Sequence, residues 1–152
     1  MGLLEGKVGL VTGGGAGIGR ATCLTFAADG ARVVVVDNRA APGRETAAMV
    51  EEAGGEAIFV EADVANEADV ERMVESTLER FGALHCASNN AASGAGFNFL
   101  TDIDAAKWQQ ALDVTLTGVW LCMKYEIPAM RKSGGGSIVN VASVSGMRGE
   151  SL

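Results

Sequence analysis

Residues 8–20 read VGLVTGGGAGIGR, a short apolar run followed directly by a glycine-rich segment. Glycine weakens both helices and strands, so a dense cluster of glycines indicates a role with which side chains would interfere. Two reasons are open: a tight surface turn, or a backbone segment that another molecule must approach closely. Beyond the cluster, Ile18, Ala21 and Leu24 recur at helical spacing, which predicts a helix over 18–29. The stretch is therefore typical of a strand, a glycine loop and a helix.

The same alternation of strand and helix continues along the chain. The predicted strands lie at 8–11, 32–36, 58–60, 84–88 and 137–141, and the predicted helices at 18–29, 42–53, 67–81 and about 104–130. The run RVVVV at 32–36 is too apolar to leave one face in water, which is typical of a buried parallel strand. The alternation predicts a single α/β domain over 1–152, with a doubly wound open parallel sheet and helices on both faces.

Composition and charge restrict the function. The chain has 152 residues and is 48% hydrophobic, which excludes a disordered tail. Its net charge of −7 disfavours nucleic acid as a partner. No apolar stretch is long enough to span a membrane, and the first residues show no secretory signal. Three widely spaced cysteines in apolar surroundings fit a reducing compartment, so we expect a soluble cytoplasmic protein.

The glycine loop lies where a doubly wound sheet binds a dinucleotide, between the first strand and the first helix. There the backbone can approach a pyrophosphate, whose charge meets the N–H groups and the dipole of the helix. The spacing Gly13-x-x-x-Gly17-x-Gly19 is one residue longer than G-x-G-x-x-G. Taken alone, a tight strand-to-helix turn explains these glycines equally well.

An acidic residue after the second predicted strand strengthens the dinucleotide hypothesis. Asp37 follows RVVVV directly, where a carboxylate can accept hydrogen bonds from both ribose hydroxyls of an adenosine. A solvated carboxylate at a strand end is the alternative. A 2′-phosphate would lie against this carboxylate and be repelled, so we predict NAD as the cofactor rather than NADP. Arg39 is the one nearby residue that favours the phosphorylated cofactor.

These features resemble the short-chain dehydrogenases/reductases over essentially the whole chain, from Lys7 to Gly146. Thr12-Gly13-x-x-x-Gly17-Ile18-Gly19 is similar to the phosphate loop of that family. Asp63-Val64, after the third predicted strand, is similar to the pair that contacts the adenine ring. The resemblance implies a Rossmann-type sheet of five strands in the order 3-2-1-4-5, and cofactor contacts from these two motifs.

Two further motifs of the family follow the fourth and fifth predicted strands. Asn89-Asn90-Ala91 resembles the family's Asn-Asn-Ala-Gly, with Ala92 in place of the glycine, and implies that Asn90 and Ala91 contact the cofactor at its ribose. The segment IVNVAS at 138–143 resembles the strand that carries the catalytic serine. The resemblance therefore implies that Ser143 hydrogen-bonds to the substrate oxygen.

The chain departs from the family pattern in two places. DVTLTG places Thr115 where the family usually has an asparagine of its proton relay; threonine can hydrogen-bond but has no amide. The family also uses a Tyr-x-x-x-Lys pair roughly a dozen residues beyond its serine. The single tyrosine of this chain, Tyr125, is followed four residues later by Ala129 instead of lysine. We therefore expect these 152 residues to be the cofactor-binding N-terminal part, inactive alone in hydride transfer.

Three functions from different classes are open. The first is an NAD-dependent oxidoreductase of secondary alcohols and ketones, and the second is an NAD-binding module without turnover. The third is an S-adenosylmethionine methyltransferase, which also uses a glycine loop and an acidic residue. The glycine spacing and Asn89-Asn90-Ala91 favour the dehydrogenase motifs over the methyltransferase. The resemblance also implies a homo-oligomer, built in part on the long helix.

The single histidine and the two tryptophans are expected to have structural roles. His85 is the only histidine, so a metal site is not expected, and we expect it in the sheet or at the surface. Trp108 and Trp120, both within the predicted long helix, are expected to be packing residues.

Overall fold

The computed structural model describes residues 2–94 and 99–147 and contains one parallel sheet of five strands. The strands are β1 (Val8–Thr12), β2 (Arg32–Asp37), β3 (Glu56–Glu61), β4 (Cys86–Asn89) and β5 (Ser137–Asn140). The helices are α1 (Gly17–Ala28), α2 (Ala40–Glu52), α3 (Glu67–Phe81), α4 (Ala105–Leu112) and α5 (Gly118–Lys132). The order across the sheet is β3-β2-β1-β4-β5, which confirms the predicted fold class and strand order.

The two faces of the sheet carry separate apolar cores. Successive side chains of a strand point to opposite faces, and the valines of β2 divide in this way. Val33 and Val35 pack with residues of α1 and α2, whereas Val34 and Val36 pack with residues of α3 and α5. All four valines are fully buried. Burial on both faces explains why the run 32–36 contains no alternating polar position.

Helix α3 has the bounds that the sequence predicts. The side chain of Asn66 accepts hydrogen bonds from the backbone N–H groups of Ala68 and Asp69, which satisfies two donors of the first turn. Gly82 ends the helix in the left-handed conformation, with φ of 76°. The apolar face lies against the sheet because it carries Val70, Met73, Val74 and Phe81, all buried.

The predicted helix over about 104–130 is present as an uninterrupted helical segment over 105–132, but it is not α-helical throughout. α4 ends at Leu112, a π-helical turn follows over Asp113–Thr117, and α5 begins at Gly118. In this turn the Thr115 hydroxyl donates to the carbonyl of Ser93 at 2.9 Å and accepts from its N–H at 3.3 Å. This tertiary contact links the turn to the loop after β4, and π-helical turns are frequent at functional sites.

The two tryptophans also differ from expectation. Trp108 on α4 and Trp120 on α5 are 51% and 55% exposed, so neither is buried in the core. Their helical spacing was compatible with packing, but α3 and the sheet cover a different face of α5.

No helix in residues 2–94 and 99–147 has both the length and the apolar composition that a bilayer crossing needs.

Candidate functional site

A cleft of about 740 Å³ opens at the carboxyl ends of the strands. It lies between the loops after β1, β2, β3 and β4 and the π-helical turn, where doubly wound sheets bind their ligands. Seven of the predicted site residues line it: Gly13, Gly17, Asp37, Asp63, Val64, Asn90 and Ala91. The fold therefore brings together residues that are far apart in the sequence.

The glycines of the loop after β1 have different tasks. Gly13 has φ of 65°, and a Cβ there would lie 3.0 Å from the Cα of Ala91. A Cβ on Gly19 would lie 2.1 Å from the carbonyl oxygen of Gly13, so no side chain fits. Gly17 has φ of 52°, but a Cβ there would meet nothing within 4 Å. Gly13 and Gly19 let the loop fold tightly, while Gly17 leaves the cleft open.

The first turn of α1 faces this cleft with its N–H groups available. Its N-cap residue, Ala16, makes no side-chain capping hydrogen bond, and the first turn contains no acidic residue. Ala16 and Gly17 both line the cleft. Ile18 is 68% exposed and Gly19 is buried, and neither is among the described lining residues. An uncapped helix N-terminus beside an open cleft fits an anionic group such as a phosphate.

The Arg20 side chain holds the glycine loop after β1 in place. Its guanidinium donates to the Gly15 carbonyl from Nη2 at 2.7 Å and from Nε at 3.1 Å. It also donates to the Thr46 hydroxyl at 3.0 Å and pairs with Glu45, both on α2. Sequence reasoning missed this residue, although an arginine directly after a glycine loop was a visible signal.

Asp37 is the acidic residue of the cleft and is only 5% exposed. Its Oδ2 accepts from the N–H of Gly15 at 3.0 Å, which connects the end of β2 to the glycine loop. Its Oδ1 accepts from the backbone N–H of Arg39 at 3.0 Å and from Nε of the same residue at 3.2 Å. The Arg39 side chain is 62% exposed. A carboxylate has about four acceptor positions, so Asp37 can still accept from a hydroxyl group.

Asp63 and Val64 form the opposite wall. The Asp63 carboxylate accepts from the N–H of Ala65 at 3.0 Å. The backbone N–H of Asp63 donates to the carboxylate of Asp69 at 3.0 Å. That backbone hydrogen bond is the main reason why the pKa of Asp69 is lowered. Val64 is 6% exposed and packs on the core. The first turn of α3 thus fixes this wall in place.

Thr12 holds the ends of β1 and β4 together. Its hydroxyl accepts from the N–H groups of Asn90 at 3.0 Å and Ala91 at 3.1 Å. In return, Asn90 Nδ2 donates to the Thr12 carbonyl at 3.2 Å. Thr12 is 1% exposed, so these contacts are protected from water. A threonine at the last position of β1 was a signal for this role that the sequence reasoning did not use.

Thr115 supports the cleft without lining it. Its contacts are to the backbone of Ser93, which does line the cleft, as do Gln110, Asp113 and Val114. The arrangement joins the π-helical turn to the loop after β4. Thr115 can therefore position that loop through its hydroxyl, a task for which the amide of an asparagine is not required.

Ser143 lies apart from the other predicted site residues. It is exposed, and its Oγ accepts from the N–H of Ser145 at 3.2 Å, which caps a short 3-10 turn over Val144–Gly146. Among the described residues that line the cleft, none comes from β5 or from 141–147. The structure places Ser143 beyond the end of β5 and does not bring it into contact with the cleft.

A buried polar group next to the cleft escaped the sequence analysis. Glu126 on α5 has no exposed surface, and its Oε2 accepts from Asn89 Nδ2 at 3.0 Å. Asn89 Nδ2 also donates to Asn140 Oδ1 at 3.0 Å, which joins β4 to β5. Burial raises the pKa of Glu126 to about 7, against the lowering effect of the Asn89 hydrogen bond. The spacing of Glu126 from the buried Cys122 and Met130, four residues either side, was the available signal.

The only tyrosine and the only histidine have structural contacts. The Tyr125 hydroxyl donates to Glu67 at 2.9 Å, and this hydrogen bond is the main cause of its raised pKa. A hydroxyl held by a carboxylate is a poor base. His85 precedes β4, where its Nδ1 accepts from the N–H of Val8 at 3.0 Å. His85 therefore lies at the edge of the strand pairing, as expected for a sheet histidine.

The order of strands, the glycine loop and the cleft at the strand ends define a Rossmann-type dinucleotide-binding protein. The chain matches the family model described as short chain dehydrogenase over residues 7–152, and it belongs to that family. Members of this family bind a nicotinamide cofactor. The expected family and the expected cofactor-binding part are thus confirmed.

Curated relatives are similar over nearly all of the chain. The chain is 45% identical to 2,5-dichloro-2,5-cyclohexadiene-1,4-diol dehydrogenase of Sphingobium indicum, over 96% of this chain and 58% of the relative. It is 38% identical to cyclohexanol dehydrogenase of an Acinetobacter species, over 94% of this chain and 57% of the relative. The chain therefore spans just over half the length of these relatives.

Two solved structures have the same fold at close similarity. Levodione reductase superposes with a TM-score of 0.92 at 38% identity, over 97% of this chain and 58% of that protein. NAD⁺-bound xylitol dehydrogenase superposes with a TM-score of 0.93 at 32% identity, over 97% of this chain and 57% of that protein. The described sheet and helices are the Rossmann part of such a protein.

Proposed function

We propose that the chain binds NAD in the cleft and serves as the cofactor-binding part of an oxidoreductase of secondary alcohols and ketones. One observation carries the proposal: the glycine loop, the Asp37 carboxylate and Asn90 converge on a single cleft at the strand ends. The methyltransferase alternative is disfavoured because the chain belongs to the short chain dehydrogenases.

The residues of the cleft fit each part of a dinucleotide. The N–H groups at the start of α1, which have no capping side chain, suit the pyrophosphate. Asp37 suits the adenosine ribose, and Asp63 and Val64 form the wall expected for the adenine. Asn90 and Ala91 border the remaining part of the cleft. When bound, the nicotinamide accepts or supplies the hydride, while these residues orient the cofactor.

The preference for NAD over NADP follows from the buried charge of Asp37. A 2′-phosphate next to this carboxylate would meet a like charge, and two unit charges at about 4 Å repel by ~1–4 kcal/mol. Arg39 could offset this repulsion, but its Nε is already 3.2 Å from Asp37 Oδ1. The NAD⁺-bound state of the similar xylitol dehydrogenase supports the same preference.

The role proposed for Ser143 is to hydrogen-bond to the oxygen of the substrate. Its Oγ accepts from the Ser145 N–H, which leaves the hydroxyl proton to donate. The names of the relatives, a cyclohexadiene-diol dehydrogenase and a cyclohexanol dehydrogenase, support a secondary alcohol as the substrate class. Binding without turnover is the second candidate for these 152 residues, because their only tyrosine is held by Glu67.

Two further properties belong to the proposal. We propose that the protein self-associates through the outer face of α5, where Trp120 and Ile127 are 55% and 47% exposed, together with Leu116 at 66%. We also propose a cytoplasmic location, since Cys23, Cys86 and Cys122 are all free thiols.

Calorimetric titration with NAD tests the proposed function through two matched glycines. Gly17 and Gly82 both have positive φ, at 52° and 76°, and a Cβ on either meets nothing within 4 Å. Gly17→Ala and Gly82→Ala therefore introduce similar backbone strain, but only the first places a methyl group in the cleft. We expect Gly17→Ala to weaken NAD binding at least about tenfold, equivalent to ~1.4 kcal/mol, and Gly82→Ala to leave it unchanged. Equal affinities of the two variants, or no binding by the parent chain, would contradict the proposal.

A further inference from the structure

Glu126 is a fully buried carboxyl group without a counter-ion. It has no exposed surface, and none of the ion pairs within the described part of the chain includes it. Its hydrogen-bond partner is the neutral amide of Asn89. An isolated ionised carboxylate is very unfavourable in such surroundings, because burial removes it from bulk solvent and no cation of the described residues pairs with it.

The side chains of Asn89 and Glu126 together lack one hydrogen-bond donor. Asn89 Nδ2 has two hydrogens, and both are used, on Glu126 Oε2 and on Asn140 Oδ1. Both contacted atoms are oxygens, which assigns the nitrogen of the Asn89 amide to the position between them. Two buried oxygens, Asn89 Oδ1 and Glu126 Oε1, then have no hydrogen-bond partner among residues 2–94 and 99–147. Both belong to the same pair of side chains, and one proton would turn two unsatisfied acceptors into a donor and an acceptor.

We propose that Glu126 is protonated in the native fold and donates from Oε1 to Asn89 Oδ1, forming a two-bond acid–amide pair that positions the end of β4. The carboxylic acid then both donates to and accepts from one amide. This pairing satisfies every polar atom of the two side chains, as buried polar groups require.

The end of β4 matters because it is directly continuous with the cleft. The residue after Asn89 is Asn90, whose backbone and side chain bond to Thr12 and whose Nδ2 lies against the glycine loop. Asn89 also bonds to Asn140 on β5. Glu126 is thus a positioning residue that acts through Asn89 on the cofactor segment Asn90-Ala91.

Ionisation of Glu126 removes the donated hydrogen bond and leaves a buried charge. The raised pKa of Glu126, about 7, places this change near neutral pH. Of the other titratable groups nearby, Cys122 lies one turn earlier on α5 and Cys86 lies on the opposite face of β4 from Asn89. Burial raises the pKa of both thiols, so they stay neutral over this range. On α3, Glu67 pairs with Lys124 at the surface, away from the buried pair.

A titration of the ligand-free chain tests the inference independently of cofactor binding. The side-chain carboxyl ¹³C signal of Glu126 is assigned by its loss in Glu126→Gln and followed by NMR from pH 4 to 9. We expect a midpoint at about 7 or above, with the Asn89 side-chain amide and the Asn90 and Ala91 backbone amides shifting at the same midpoint. In Glu126→Gln these amides should not shift, because Gln offers the same donor and acceptor without titrating. A midpoint near the ordinary value of about 4.3 would overturn the inference.

A second arm rests on the proposed function and measures NAD affinity at pH 6 and pH 8.5. We expect the parent to bind roughly two- to tenfold more weakly at the higher pH, the effect of one lost hydrogen bond. Glu126→Gln should bind equally at both, and Glu126→Leu should bind weakly at both. Glu75→Gln, an exposed carboxyl on α3, should follow the parent. The same pH change in Glu126→Gln as in the parent would overturn the inference. If no variant binds NAD, the proposed function fails and the NMR titration alone decides the inference.

Discussion

β1 and β5 flank the same strand, β4, yet they differ in how the fold treats them. All five residues of β1 are buried, whereas β5 has one half-buried residue and three exposed ones. The segment after β1 is clamped by Asp37 and Asn90, while the segment after β5 ends in an exposed Ser143. The difference teaches that buried residues preform the cleft after β1, whereas the described residues leave Ser143, after β5, exposed.

The largest effect on stability should come from adding a methyl group to a glycine after β1. The same change at a glycine after β5 serves as the comparison. A Cβ on Gly19 would lie 2.1 Å from a backbone oxygen, whereas a Cβ on Gly146, beyond β5, would meet nothing within 4 Å. Gly19→Ala should lower the free energy of unfolding by about 2–4 kcal/mol, because the loop backbone must move. Gly146→Ala should change it by less than about 0.5 kcal/mol. Urea unfolding of both variants measures the difference, and similar losses would show that the two ends are equally packed.

The pH dependence of the free energy of unfolding should follow the ionisation of Glu126, whose partner Asn89 lies on β4 between β1 and β5. Its pKa is raised from 4.5 to about 7 in the folded chain, so the folded state holds its proton more tightly than the unfolded state. The resulting stabilisation is fully present below about pH 4.5 and is lost as the pH rises to about 7. The total loss is of the order of 3 kcal/mol relative to Glu126→Gln.

Denaturation of the parent chain and Glu126→Gln at pH 5 and pH 8 measures this linkage. We expect the parent to lose more stability than the variant between the two values. A constant difference between the two proteins would mean that Glu126 has the same pKa in the folded and unfolded states.

A smaller effect should distinguish a valine of β2 from one of β5. Val34 is fully buried, whereas Val139 is 58% exposed. Replacing each by threonine keeps the shape and exchanges one methyl group for a hydroxyl group. Val34→Thr should lower the free energy of unfolding by about 2 kcal/mol, because the hydroxyl is buried in an apolar core, and Val139→Thr by less than about 0.5 kcal/mol. Thermal or urea unfolding gives both values, and a large loss in Val139→Thr would show that the β5 face is covered in solution.

Much of the nucleotide region could be predicted from sequence because its signals are local. A glycine loop after an apolar run, the valines before Asp37, and the amphipathic spacing of α3 each specify one element. The contact of Thr115, in the π-helical turn at Asp113–Thr117, with the distant Ser93 could not be predicted. Glu126, on α5, was missed for the same reason, because its partner Asn89 lies on β4, far away in the sequence. Tertiary partners, unlike periodicity, leave little trace in one sequence.

The most direct test of the account is a calorimetric comparison of NAD and NADP on the parent chain and on Asp37→Asn. Asp37 is 5% exposed and lines the cleft, so its charge acts on any group bound there. The account predicts saturable binding of one NAD per chain, at least about tenfold tighter than NADP, and a reduced preference in Asp37→Asn. Tighter binding of NADP by the parent, or no binding of either cofactor, would contradict it.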